Sequence, residues 1–239
     1  MFYGRTQGIK KIVNLLASKS YFDMKKILLP LLWILIVFFA YKLYNSIYEP
    51  IQFNKVKTER YADVIRSLKD IGNAQVAHKS VTGIYALDFK SLIDFVDSAQ
   101  YVLIEKRDSS YLEYDRIYRI DMLREVQIID TLGFASVKDS LFGNSDHYKN
   151  MAHVPVKGID TIFSMKADVI DKNGYQVPVF EVRVDKDIVL HDQDSYLLEQ
   201  EKATISVDGV NGPAIILGSL SEVSTNGNWP TIYDAGIQE

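Results

Sequence analysis

A chain of 239 residues without one cysteine can have no disulfide, thiol nucleophile, thiolate metal site or lipid-modified cysteine, so its core must hold it together. Almost half of its residues are hydrophobic, which excludes a disordered polyelectrolyte. The net charge of −4 is unevenly divided: seven basic residues and only one acid, Asp23, lie up to Tyr44, leaving 20 basic against 30 acidic residues beyond it, a balance that argues against nucleic acid as a partner.

Residues 1–26 form a basic segment carrying Arg5, Lys10, Lys11, Lys19, Lys25 and Lys26. Ile9, Ile12, Val13 and Leu16 fall at helical spacing, as in a helix lying on the inner leaflet. Met24-Lys25-Lys26 also reads as a translation start, which would make the first 23 residues an extension, and both readings stand.

Ile27 to Tyr41 then runs without a charge. With Lys42, Leu43 and Tyr44, segment 27–44 approaches the roughly 20 apolar residues a spanning helix needs, with Lys42 snorkelling to the headgroups. The six preceding positive charges place the N-terminus in the cytoplasm, which predicts a single-pass anchor in the inner membrane with the acidic domain in the periplasm. The run exceeds the roughly 7–15 residues of a signal-peptide core, and Ala40-Tyr41-Lys42-Leu43-Tyr44 offers no small-x-small cleavage site, so the anchor is expected to be retained.

A juxtamembrane helical segment is expected over 45–100. Tyr41, Tyr44 and Tyr48 make an interfacial belt, and Glu49-Pro50 predicts an end or kink. Asn54 to His78 reads as a second, amphipathic helix whose stripe is Tyr61, Ile65, Leu68, Gly72 and Gln75, with Val64 and Ile71 beside it. Gly83 supplies a stop, and Asp88 opens a short helix, Phe89 to Asp97.

From residue 101 to 239 the pattern becomes β-rich. Tyr101 to Lys106 reads as a strand, Arg107 to Ser110 as a turn, Tyr111 to Ile120 as the returning strand, and Val126 to Asp130 as a further one. Ser136 caps a short helix to Phe142, and Gly143 to His153 is a polar loop. Thr161 to Ile170 pairs with Tyr175 to Asp185 across Asp171-Lys172-Asn173-Gly174. Pro178 marks the second of these strands as an edge or bulged strand. Ala203 to Val207 and Ala214 to Val223 form a later pair, and Trp229-Pro230 to Tyr233 closes the chain. Helices first and strands later predict an α+β fold: a transmembrane helix, then an amphipathic helix packed on a mainly antiparallel sheet.

No residue is nominated as catalytic, cofactor-binding or metal-ligating. His78, His147, His153 and His191 form no short-spaced ligand pair. Asp168 to Gly174 fails as a calcium loop, because Val169 and Phe180 would hold its first and twelfth positions. Glycine-rich phosphate loops and nucleophile elbows are likewise missing.

Tyr61-Ala-Asp-Val-Ile-Arg-Ser-Leu-Lys-Asp-Ile-Gly-Asn-Ala-Gln75, then Gly83-Ile-Tyr85, Asp88 and Leu92, resembles a type IV pilin or type II secretion pseudopilin. Val210-Asn-Gly-Pro and Gly227-Asn-Trp229-Pro230 are similar to turns of that family's small sheet. The resemblance implies an apolar helix continuing into an amphipathic one that packs on the sheet. Departures are the missing glycine before the apolar run, the missing glutamate at its fifth position, and Pro50, which leave no prepilin peptidase motif.

The expected function is a structural or interaction protein of a cell-envelope assembly, not an enzyme. Its partners would be the lipid bilayer and other envelope proteins, met through the Tyr61, Ile65, Leu68 face or the acidic domain. A periplasmic ligand- or cell-wall-binding module, using tyrosines between Tyr101 and Tyr118 as stacking platforms, and a periplasmic hydrolase are the alternatives.

Overall fold

The computed structural model describes the backbone of residues 3–233 and the side chains of residues 28–233. The amphipathic face expected of Ile9, Ile12, Val13 and Leu16 lies outside the described residues. The fold is α+β: a long N-terminal helix precedes two antiparallel sheets. Two compact units divide the chain, Met1–Lys55 and Val56–Glu239.

Helix α1, Tyr3–Thr82, contains both Pro30 and Pro50, so of the end or kink expected at Glu49-Pro50 the end does not occur. Pro50 lacks the N–H that would reach the Ser46 carbonyl, and an interior proline costs about 3 kcal/mol, yet the helix runs on to Thr82. In the first unit, every residue from Leu28 to Tyr44 is exposed, and the Tyr44 and Tyr48 rings stack at 5.5 Å.

In the second unit the α1 stripe forms the core as its spacing predicted. Tyr61, Val64, Ile65, Leu68, Ile71 and Gln75 are all buried. The helix terminates at Gly83, which adopts φ +87° and donates its N–H to the Lys79 carbonyl at 2.8 Å, a left-handed cap that costs glycine no Cβ clash. Buried Gln75 is fully used: its Nε2 donates to the Ala86 carbonyl at 2.9 Å and its Oε1 accepts the Ala86 N–H at 2.8 Å. That pair ties the turn after the helix back onto the helix. Asp88 then caps α2, Phe89–Ser98, by accepting the Ser91 N–H at 2.7 Å.

Strands β1, Gln100–Asp115, and β2, Ile120–Ser136, pair antiparallel into a two-stranded ribbon. The turn expected at Arg107–Ser110 does not form, because each of these residues is paired across the ribbon, Arg107 with Ile128 and Ser110 with Glu125. Reversal comes instead at 116–119, where the Asp115 carboxylate accepts the N–H groups of Ile117 at 2.8 Å and Tyr118 at 3.1 Å and Arg119 takes φ +56°. Helix α3, Val137–Phe142, follows with Ser136 as its cap. The loop beyond it is not wholly polar: a 3₁₀ turn at His147–Asn150 buries Tyr148 completely.

The second sheet has the order β3-β4-β5, with β3 at Ser164–Lys172, β4 at Tyr175–Asp185 and β5 at Ala214–Gly218. Asn173 and Gly174, at φ +57° and +83°, make the two-residue hairpin turn that Asn-Gly favours. Strand β4 is central, which modifies the edge expectation for Pro178. β5 pairs only with 181–185 of β4, so Pro178, opposite Val169 on β3, sits where the other side of β4 is open and no N–H is wanted. One face of the sheet, with Phe180, Val182, Val184, Ile215 and Leu217 buried, meets the α1 stripe. An added Cβ on Gly72 would lie 2.8 Å from Leu217 Cδ2.

The strand expected at Ala203–Val207 is absent. Asp194 caps a helix instead, accepting the N–H groups of Tyr196 and Leu197 at 3.0 Å each, and Ala203 is the C-terminal cap of this α5, Ser195–Lys202. A short α4, Lys186–Val189, precedes it. Between them lies a buried polar cluster. Lys186, with no exposed surface, donates to the Glu201 carbonyl at 2.8 Å, to Glu201 Oε1 at 3.2 Å and to the Val210 carbonyl at 2.8 Å. The Tyr61 hydroxyl donates to Glu201 Oε1 at 3.3 Å and Lys57 to Oε2 at 2.9 Å. Burial pushes the Lys186 amine below its ordinary range while the Glu201 charge lifts it back in part. Burial, then the Glu201 carboxylate, raises the Tyr61 phenol well above its usual 10.

Candidate interaction surface

The β1–β2 ribbon differs in kind from the rest of the second unit. None of the residues of either strand is buried, although they include Val102, Leu103, Ile104, Leu112, Leu123 and Phe134. At the turn Ile117 is 84% exposed. An isolated two-stranded hairpin is at best marginally stable in water, and contiguous apolar surface left in solvent marks a contact site on a soluble domain. Both ribbon edges are open too, since β1 and β2 pair only with each other, and long unpaired edges invite a further strand.

Alternation places two different faces on the ribbon. Face one holds Glu105, Arg107, Glu113, Arg124 and Asp130, and its charges are paired within the chain: Arg107 with Asp130 and, at 3.8 Å, with Glu105, and Arg124 with Glu113 at 2.7 Å. Face two holds Val102, Ile104, Lys106, Asp108, Ser110, Leu112 and Tyr114, opposite Phe134, Thr131, Ile129, Gln127, Glu125, Leu123 and Asp121 on the neighbouring strand. Among the described residues Lys106 makes no ion pair, and Asp108 accepts only a 3.3 Å hydrogen bond from Gln127.

The tyrosines named from the sequence sit on this ribbon and its turn. Tyr111, Tyr114 and Tyr118 are exposed, and Tyr114 lines a cleft of about 320 Å³ with Glu113, Arg116 and Arg124 near the turn. A second cleft, of about 440 Å³, lies beside α1 between Lys69, Leu217, Asn226 and Trp229. Lys69 donates into the C-terminal turn, to the Tyr233 carbonyl at 2.7 Å.

The Tyr61, Ile65, Leu68 face, expected to meet partners, is at most 1% exposed and therefore already occupied by the domain's own sheet. The histidines stand apart from one another. His78 Nδ1 lies 2.7 Å from the Ile84 carbonyl, and His153 Nδ1 lies 2.9 Å from Asp160 Oδ1. His147 has Ser145 Oγ 2.6 Å from Nδ1 and Asp70 Oδ2 3.3 Å from Nε2, a juxtaposition sequence reading missed because Asp70 is on α1. The His147 side chain is 52% exposed, and the Ser145 hydroxyl also accepts the His147 backbone N–H at 3.4 Å, so this is a solvated turn cap. Among the described residues no group of acids and histidines is arranged to hold a metal ion.

One helix among the described residues is long and apolar enough to cross a membrane, with an 18-residue window of mean hydropathy 1.7 and none of that window buried. Comparison with known proteins finds no matching family model, no matching curated protein and no matching solved structure.

Proposed function

We propose that this chain is a single-pass membrane protein that presents an acidic extracytoplasmic domain as an interaction component of a cell-envelope assembly of the pilin or pseudopilin kind. The observation that carries this reading is the β1–β2 ribbon, two long strands without a buried residue on a domain whose other sheet buries one face of β4 and β5. The charge-free run from Ile27 to Tyr41 supplies the anchor, and six positive charges before it orient the N-terminus to the cytoplasm. The pilin-like reading is supported by the continuation of an apolar helix into a stripe that covers a small antiparallel sheet.

The test shortens the ribbon. Replacing 105–130 by Asn-Gly joins Ile104 to Thr131, which already face each other, through a favoured two-residue turn. Light scattering on the detergent-solubilised protein should show a smaller complex with an unchanged melting temperature for the domain. An unchanged complex mass would overturn the reading. A ligand-binding module is the second reading, favoured by the cleft at the turn that Tyr114, Arg116 and Arg124 line; it expects the same variant to lose a bound small molecule or polymer while the mass stays constant.

A further inference from the structure

Resting on the ribbon as an interaction surface, we infer that its occupant is a second copy of this chain, stacked antiparallel through face two about a two-fold axis between the rows of Lys106 and Asp108. The reciprocal placing of Lys106 and Asp108 selects this face: the charges of face one are matched within the chain, whereas Lys106, Asp108, Asp121 and Glu125 of face two have no ionic partner among the described residues.

A two-fold axis running across the strands keeps β1 over β1 and reverses direction, so contacts occur in reciprocal pairs. Centred between rows 106 and 108, it sets Lys106 of each copy over Asp108 of the other. The same operation sets Val102 over Leu112 and, through the register of β2, Phe134 over Leu123, joining the apolar ends of the face. Slipping by one row in either direction would put Lys106 on Lys106 or Asp108 on Asp108, and like charges juxtaposed at an interface are costly. In this register the Lys106 and Asp108 rows and the apolar end rows are reciprocal, and Glu125 lies over Thr131 of the other copy.

The size also fits a second copy. Sixteen residues at about 3.4 Å each give a ribbon about 50 Å long and about 10 Å wide, so the stack would bury about 1,000 Å², the lower bound for a specific interface. Copies anchored in one membrane meet at a raised effective concentration, which makes an interface of that size sufficient. The ribbon carries seven acidic and five basic residues, which disfavours an anionic lipid surface as the occupant.

The full-length protein in detergent tests this, and its lack of cysteine makes introduced thiols unique. Val102→Cys and Leu112→Cys on one chain stand about 34 Å apart along the same strand, beyond an intramolecular bismaleimide of roughly 10 Å span, which matches the separation of stacked sheets. The double variant should give a crosslinked dimer at least tenfold above either single variant. Lys106→Asp should reduce dimer at least tenfold, and Lys106→Asp combined with Asp108→Lys should restore it, an outcome that mere folding damage would not give. If no crosslink forms yet shortening the ribbon still lowers the complex mass, the second-copy inference falls and the interaction reading stands. If neither changes, both fall.

Discussion

Lys186 and Glu201 meet inside the domain, Nζ to Oε1 at 3.2 Å, with the lysine wholly buried and the glutamate nearly so. The two ends of this pair are not equivalent. Glu201 also accepts from Lys57 and Tyr61, whereas Lys186 otherwise has only two carbonyls. Removing one member of a buried pair costs about 3–5 kcal/mol because the remaining charge is stranded. Glu201→Leu should approach that cost. Lys186→Met should cost less, about 1–3 kcal/mol, since it leaves Glu201 paired and only unsatisfies carbonyl groups. Denaturant melts of both variants check the order, and equal losses would contradict it.

Alkaline pH should act through Tyr61. Its phenol is held neutral in the fold by burial and by the Glu201 carboxylate, while in the unfolded chain it ionises near pH 10. The unfolded state then loses a proton that the native state keeps, so stability is intact below pH 10 and falls above it. Lys186 has the opposite sign: its folded value is lowered, so its penalty is full below that lowered value, fades as pH rises toward about 10.5 and is gone above it. Tyr61→Phe should therefore flatten the fall above pH 10, as thermal melts across pH 8–11 would show.

Two glycines in contact with the core separate crowding from backbone strain. Gly72 is helical, and its missing Cβ would press only on the mobile end of the Leu217 side chain, at 2.8 Å. Gly218 has φ +78°, and a Cβ there would collide with the Phe180 carbonyl oxygen. Gly72→Ala should cost about 1 kcal/mol or less, with the helix preference of alanine offsetting the crowding. Gly218→Ala should cost more than 2 kcal/mol, because backbone atoms cannot step aside. Comparable melting temperatures for the two variants would show the sheet to be softer than this.

What was legible in the sequence was what local chemistry decides alone. The stripe from Tyr61 to Gln75 has helical spacing, Asp88 precedes an apolar run, and Asn173-Gly174 admits positive φ. Position within the fold overrode composition elsewhere. Arg107-Asp-Ser-Ser110 has the polarity of a turn, yet its side chains find partners across the ribbon in Asp130 and Gln127. Thr204-Ile-Ser-Val207 has strand composition, but Ile205 and Val207 end up almost fully exposed after a helix started by Asp194. Asp194 ahead of Ser-Tyr-Leu-Leu was the available signal for that helix. The neighbouring Lys106 and Asp108 rows of face two depend on a pairing register with a bulge beside Ile104, which no local pattern reveals.

The final prediction concerns orientation in the membrane. Six basic residues precede the apolar run and one acid accompanies them, while 20 basic and 30 acidic residues follow Tyr44. Positive charge is retained on the cytoplasmic side, so a reporter enzyme that works only outside the cytoplasm should be active when fused after Glu239. Lys25→Glu together with Lys26→Glu removes the two charges nearest the span and should lower that activity. If translation starts at Met24, the loss should be large, because these are then the only basic residues ahead of the run. If it starts at Met1, Arg5, Lys10, Lys11 and Lys19 remain and the loss should be partial. Full activity of a cytoplasmic reporter at Glu239 would reverse the topology and remove the extracytoplasmic domain from the proposal.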